Sequence, residues 1–278
     1  GFYIVKKINF GIFNEYVEEN GVVISRPDED TLRTVIHDAD VWHLVTPFFM
    51  AHKGMEIARE YGVPVTASFH CQAENISSHL FLMNSTRFNT KIYKTLYSYV
   101  YKYCTAVHYP TQFICDVFER ECGHTTNHYV ISNGVGKEFV RDPQPKPAEF
   151  ADKKVILFTG RYSREKSHRV LIDGVAATRD PGRIQLVFAG CGPLDEKLHE
   201  YAAKVLPAEN QPLFRFFSRP EMLKVLNYAD LYVHPAEIEI EAIACLEAIK
   251  CGLVPVIADS PRSATRYFAL TEKNLFRY

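Results

Sequence analysis

Short apolar runs alternate with amphipathic segments along almost the whole chain. Positions 22–24, 41–45, 64–69, 106–109 and 128–131 read as strands, each a brief run of β-branched or aromatic residues bounded by turn formers. Helical spacing of apolar positions falls between them, at 28–37, 50–61, 89–103 and 111–122. After Lys153 the rhythm restarts, with strands expected at 155–158, 185–189, 213–217, 231–233 and 254–258 and a helix around 170–176. Alternating βα units imply an α/β fold with parallel sheets covered by helices on both faces. Pro143, Pro145 and Pro147 crowd one short stretch, which reads as a connection between two such domains. The expected division is therefore 1–140, a linker at 141–152, and 153–278.

The densest chemistry lies in 239–258, which reads as a helix closed by Gly252 and followed by a buried strand. Glu239 and Glu247 stand eight positions apart, and in one continuous helix that is roughly 12 Å of axial rise. Two acceptors flanking an anion-attracting helix N-terminus suit a sugar nucleotide, with hydroxyls at each end and a diphosphate between. The same spacing also fits acids on a solvated helix face. Upstream, the run at 155–158 leads through Gly160 to Arg161 and Lys166, just past the carboxyl end of a strand, where open α/β sheets line their ligand crevice. The Arg161 fork and the mobile Lys166 charge can offset the charge on a departing diphosphate. Gly190 and Gly192 follow another strand and permit close backbone approach to a ligand. His70 ends the strand at 64–69, where a lone histidine is more often structural; Glu74 and Asn75 follow closely as candidates for binding acceptor or donor hydroxyls, and solvated loop roles fit those two equally. Phe216 and Phe217 read as core residues.

Several segments carry a resemblance. These are Ser68 to Ile76, Ile131-Ser-Asn-Gly134, Gly160-Arg-Tyr-Ser with Lys166, Glu239 to Glu247, and Ser260 to Leu270. Together they resemble retaining GT-B glycosyltransferases of the family 4 type, and within them the bacterial α-glucosyltransferases that act on membrane lipids such as cholesterol or diacylglycerol. The resemblance implies two Rossmann-like domains facing a cleft, an acceptor side followed by a donor side. It implies that Arg161 and Lys166 stabilise the leaving diphosphate, Glu239 positions the donor sugar and Glu247 holds the ribose. His70 would orient the donor near the reacting carbon, and Gly160, Gly192, Ala242 and Ile243 would complete the donor site. The family commonly carries Gly-Phe-Gly after its first glutamate; Ile240-Glu241-Ala242 stands here instead, so Glu241 is a candidate for a compensating contact with the donor. The family's first strand and closing helices have no counterpart in this sequence, so the resemblance implies domains truncated at both ends, with an unpaired sheet edge.

Composition adjusts this picture at a few points. A net charge of −1 gives no support for general nucleic-acid binding. Seven cysteines without a C-x-x-C pair read as reduced thiols of a cytoplasmic protein, and no apolar run is long enough to span a membrane. Arg87, Lys91, Lys94 and Lys102 recur along one helical face, interspersed with tyrosines, which suits a helix resting on an anionic leaflet or, equally, one packing its tyrosines on the sheet. The expected activity is transfer of a hexose, glucose first, from a UDP-sugar to a lipid hydroxyl at the inner face of a bacterial membrane. The UDP-sugar is a substrate, and neither metal nor cofactor is expected. A sugar-nucleotide epimerase of the same fold, a transferase acting on a cell-envelope saccharide, and an inactive donor-binding fragment are the alternatives.

Overall fold

The computed structural model describes residues 2–11, 14, 24–78 and 80–278. It divides into two compact units, Gly1–Ser132 and Asn133–Tyr278. Within the described part of the first unit the order is α1 (Glu29–His37), β1 (Trp42–Leu44), α2 (Phe49–Glu60), β2 (Val65–Ser68), α3 (Ala73–Ser78), α4 (Thr86–Tyr99), β3 (Ala106–Tyr109), α5 (Gln112–Cys122) and β4 (His128–Val130). The four strands form one parallel sheet in the order β1-β2-β3-β4. Local chemistry sets the helix ends. Asp28 accepts from the Thr31 amide to cap α1, and left-handed Gly123 (φ 79°) closes α5.

The core of this unit is aromatic. Phe69 and Phe118 are fully buried with ring centroids 4.6 Å apart, and Tyr93, Tyr101 and Tyr109 surround them. This packing accounts for one departure from the expected helix at 89–103. The helix begins earlier, at Thr86, and ends at Tyr99, because Val100 leaves helical geometry (φ −132°) and buries itself, and a 3-10 turn over Tyr101–Tyr103 then turns Tyr101 into the cluster. Val22 and Val23 of the expected first strand lie outside the described residues.

The second unit contains β5 (Lys154–Thr159), α6 (His168–Ala176), β6 (Ile184–Ala189), α7 (Asp195–Val205), β7 (Leu213–Arg215), α8 (Arg219–Tyr228), β8 (Leu231–His234), α9 (Ile243–Lys250), β9 (Pro255–Ala258) and β10 (Leu275–Phe276). Its six strands are parallel and ordered β10-β9-β8-β5-β6-β7. The chain builds outward from β5 in one direction, then returns to β5 and builds in the other. The switch point therefore lies between β5 and β8, where an open α/β sheet leaves a crevice beyond the strand ends. Strand β7 stops at Arg215, and Phe216 is 72% exposed rather than in the core, while Phe217 packs partly against it. The proline-rich stretch is tied to this unit: the Asp142 amide donates to Asn227 Oδ1 at 2.6 Å, and Lys146 pairs with Asp230. The division between units falls between Ser132 and Asn133.

Truncating Phe118 to alanine should lower the stability of the first unit by about 3–5 kcal/mol, the usual cost of emptying a large buried aromatic site. Denaturant unfolding monitored in that unit measures it, and a loss below about 1 kcal/mol would mean that the cluster is not close-packed.

Candidate functional site

The site of the second unit is assembled from the loops that leave β5, β6 and β8. Beyond β5 the chain runs beside the loop after β6. The Gly160 amide donates to Ala189 O at 3.1 Å and the Tyr162 amide to Cys191 O at 2.9 Å. A Cβ on Gly190 would lie 2.0 Å from Gly160 O, and one on Gly192 would lie 2.8 Å from Tyr162 N. The close approach that these glycines allow is thus made between two protein loops. Tyr162, next to Arg161 in the chain, is anchored by its hydroxyl to Phe188 O at 2.6 Å.

Arg161 Nη2 donates to Glu165 Oε1 at 3.1 Å, and Ser163 Oγ donates to the same oxygen at 2.6 Å. Burial pushes the Glu165 carboxyl up, but the Ser163 hydrogen bond, its own backbone and the two neighbouring cations leave it below the usual range. A 3-10 turn over Arg164–Lys166 and left-handed Ser167 (φ 52°) then direct the Lys166 ammonium onto Glu239 Oε1. His234 Nε2, at the end of β8, stands 3.1 Å from that same oxygen, and its Nδ1 is 3.2 Å from the Tyr232 hydroxyl. Burial alone pushes the Glu239 carboxyl up; the Lys166 charge and the His234 contact outweigh it and bring it down to about 2. Burial likewise lowers His234, against the pull of Glu239, and takes His168 down to about 3 with the help of Lys166 and His234. Both ring nitrogens of His168 are buried without a hydrogen-bond partner, and its ring stands among Phe158, Tyr162 and Phe188.

The single helix expected from Glu239 onward does not form. Residues 239–242 are a loop, Ala242 sits in the left-handed region (φ 59°), and α9 starts at Ile243. The two acids of this loop need partners in different places. Glu239 faces Lys166, and its backbone pairs alongside Ser263 through the Ala264 amide at 2.9 Å. Glu241, 4% exposed, accepts from the Asn133 amide and side chain at 3.2 and 2.6 Å. With residues 239–242 outside the helix, the 12 Å axial estimate does not apply. Glu241 is held as a strut by Asn133. Glu247, half-buried on α9, accepts no hydrogen bond among the described residues, and burial raises its carboxyl. Ala242 is buried and Ile243 is 40% exposed at the start of the helix.

In the first unit, His70 is exposed just beyond β2, its ring 5.9 Å from that of His108. Glu74 is not a free acceptor, since Tyr93 donates to its Oε2 at 2.6 Å. Asn75 Oδ1 is buried without a partner. Cys115, Glu119 and His128 are grouped closely enough to hold a metal, but Glu119 Oε1 already accepts from the Thr126 amide and hydroxyl at 2.7 and 2.9 Å and contacts His128. Burial, helped by Glu119, pushes the Cys115 thiol up to about 12, so the group reads as an internal brace.

The structure therefore brings Arg161, Lys166 and Glu239 to the carboxyl ends of β5 and β8. The sequence reading missed Tyr232, His234 and Glu165. A histidine directly before Pro235, one residue past the expected strand end, was the available signal.

Two family profiles cover the chain in succession: Glycosyltransferase Family 4 at residues 22–139 and Glycosyl transferases group 1 at residues 140–275. The chain belongs to the GT-B glycosyltransferases of the family 4 type. It is 24% identical over 234 residues to alpha-monoglucosyldiacylglycerol synthase of Streptococcus pneumoniae, a match covering 80% of this chain and 52% of that protein, about half its length. It is 47% identical to the catalytic domain of cholesterol-alpha-glucosyltransferase from Helicobacter pylori, over 44% of this chain and 76% of that one, with a TM-score of 0.42. Anabaena HepE, solved with UDP-glucose, shares the fold at a TM-score of 0.72 and 18% identity, over 96% of this chain and 75% of its own.

The pair of Lys166 and Glu239 has a pH signature. The Glu239 carboxyl lies at about 2 in the folded protein against an ordinary 4.5, so its stabilisation is complete above about pH 4.5 and is lost as the pH falls toward 2. Glu239→Gln should cost a few kcal/mol at pH 7, about 3. The gap from wild type should narrow steadily below pH 5 in chemical denaturation. A gap independent of pH would show that the pair carries no linkage.

Proposed function

We propose that the full-length protein transfers glucose from UDP-glucose to a hydroxyl of a membrane lipid, with retention at the anomeric carbon. The observation that supports this best is the convergence of Arg161, Lys166 and Glu239 at the switch point of the second sheet. Two cations there suit a diphosphate, and an ionised carboxylate beside them suits sugar hydroxyls, so departure of the nucleotide is assisted by fixed charge. Gly160, Gly192, Ala242 and the exposed Ile243 line the nucleotide sugar. Glu247, on α9 with no hydrogen bond of its own among the described residues, takes the ribose hydroxyls. His70 keeps the role that the resemblance implies, orienting the donor and easing positive charge at the reacting carbon. Glu74 and Asn75 are the candidates for acceptor hydroxyls, Glu74 already accepting from Tyr93 and Asn75 Oδ1 having no partner of its own among the described residues. The names of the relatives from Streptococcus pneumoniae and Helicobacter pylori favour a lipid acceptor.

Contact with an anionic membrane surface completes the proposal. No described helix is long and apolar enough to cross a membrane. The sequence holds no acid between Glu74 and Asp116, while Arg87, Lys91, Lys94 and Lys102 all lie exposed. The tyrosines of this segment largely face the protein itself: Tyr93 and Tyr101 are buried, Tyr97 stacks on His124 and Tyr99 on His52. Apolar exposure falls instead on the turn before α4, where Leu80, Phe81 and Leu82 are 58%, 79% and 40% exposed. That turn would enter the interface while the lysines meet lipid phosphates.

Mass spectrometry of lipid extracts incubated with the full-length enzyme and a panel of sugar nucleotides should show a hexosyl lipid formed with UDP-glucose. Glu247→Ala should raise the donor KM about tenfold or more. Products confined to soluble saccharides would overturn the lipid acceptor. Phe81→Ser should reduce co-sedimentation with vesicles containing anionic lipid several-fold and leave binding of UDP unchanged. Equal sedimentation would exclude this turn from the interface.

A further inference from the structure

Behind the site lies a chain of polar groups that the donor-binding reading does not use. Tyr232 and His234 alternate with apolar residues on β8 and are 0% and 1% exposed. The rings of Phe158 and Tyr232 stand 5.4 and 6.0 Å from that of His234. The Tyr232 hydroxyl meets His234 Nδ1 at 3.2 Å, and His234 Nε2 meets Glu239 Oε1 at 3.1 Å.

Protonation states in this chain follow from chemistry. Glu239 is ionised and can only accept, so Nε2 must carry the hydrogen. Burial keeps the imidazole neutral, which leaves Nδ1 as an acceptor, and the Tyr232 hydroxyl donates to it. The sequence of donations runs Tyr232 O–H to Nδ1 and Nε2–H to Glu239. The hydroxyl thus selects the tautomer that the carboxylate requires.

Lys166 and His234 share one oxygen of Glu239. When a diphosphate enters and draws the Lys166 ammonium to itself, Glu239 loses its countercharge while remaining largely enclosed. A buried carboxylate stripped of its partner is strongly destabilised unless another donor holds it. His234 is the donor already in place.

We propose that His234, its tautomer fixed by Tyr232, is a positioning residue that keeps Glu239 ionised and aimed at the sugar when Lys166 turns to the donor diphosphate. This rests on the nucleotide-sugar reading of the same site. It makes Lys166 an exchangeable partner of Glu239 and His234 a permanent one.

Three variants of the full-length enzyme test it. His234→Leu keeps the volume and removes the donor; His234→Gln retains an N–H near the Nε2 position; Tyr232→Phe releases the tautomer. His234→Leu should lower kcat/KM for the sugar nucleotide at least tenfold while UDP, which lacks the sugar, binds within about twofold of wild type. His234→Gln should recover most of that loss, and Tyr232→Phe should fall between. Equal losses in His234→Leu and His234→Gln, or a matching loss of UDP affinity, would reduce His234 to packing and overturn the proposal. A stability cycle with Lys166→Met needs no donor. The double variant with His234→Leu should lose more stability than the two single changes combined, and simple additivity would also overturn it. Should the wild-type enzyme bind no sugar nucleotide, the proposed function fails, and this cycle alone decides whether His234 holds Glu239.

Discussion

One partly buried ion pair organises the second unit's site. Lys166 arrives from the loop after β5 and Glu239 from the loop after β8, so their attraction ties together the two strands that flank the switch point. Removing either partner would leave a largely enclosed charge short of its counterion, which is costly. Everything nearby conforms to it. Arg161 is held at the rim by Glu165, the Glu239 backbone is pinned beside Ser263, and His234 supports the carboxylate from beneath.

The architecture was legible because parallel sheets impose their own pattern. Val155 to Phe158 and the residues around Leu186 are continuous apolar runs, and only strands covered on both faces read that way. Glycine after β5, with Arg161 and Lys166 following, marked the loop correctly for the same reason. What escaped was tertiary. The segment from Glu239 has good helix formers and apolar spacing, yet its acids are claimed by Lys166 on one side and Asn133 on the other, and two distant partners override local propensity. A similar override ended α4 at Tyr99, where burial of Tyr101 in the aromatic cluster outweighed continuation of the helix.

His234 shows a different limit. Its role depends on Tyr232 two residues earlier on the same face of a strand and on a carboxylate reached only through the fold. Alternation along a strand was visible in the sequence, but the partner at the far end was not. Glycines 190 and 192 make the complementary point. Their need for close approach is evident, and the loop at Gly160 and Tyr162 is one surface they approach.

Ala242 carries a quieter consequence. It holds a left-handed torsion with a Cβ attached, at a position where glycine would relax at no steric cost. The methyl group narrows the conformations open to this hinge, so α9 leaves the loop in one direction instead of several. A small torsional penalty is thereby exchanged for a stiffer launch of the helix that carries Glu247.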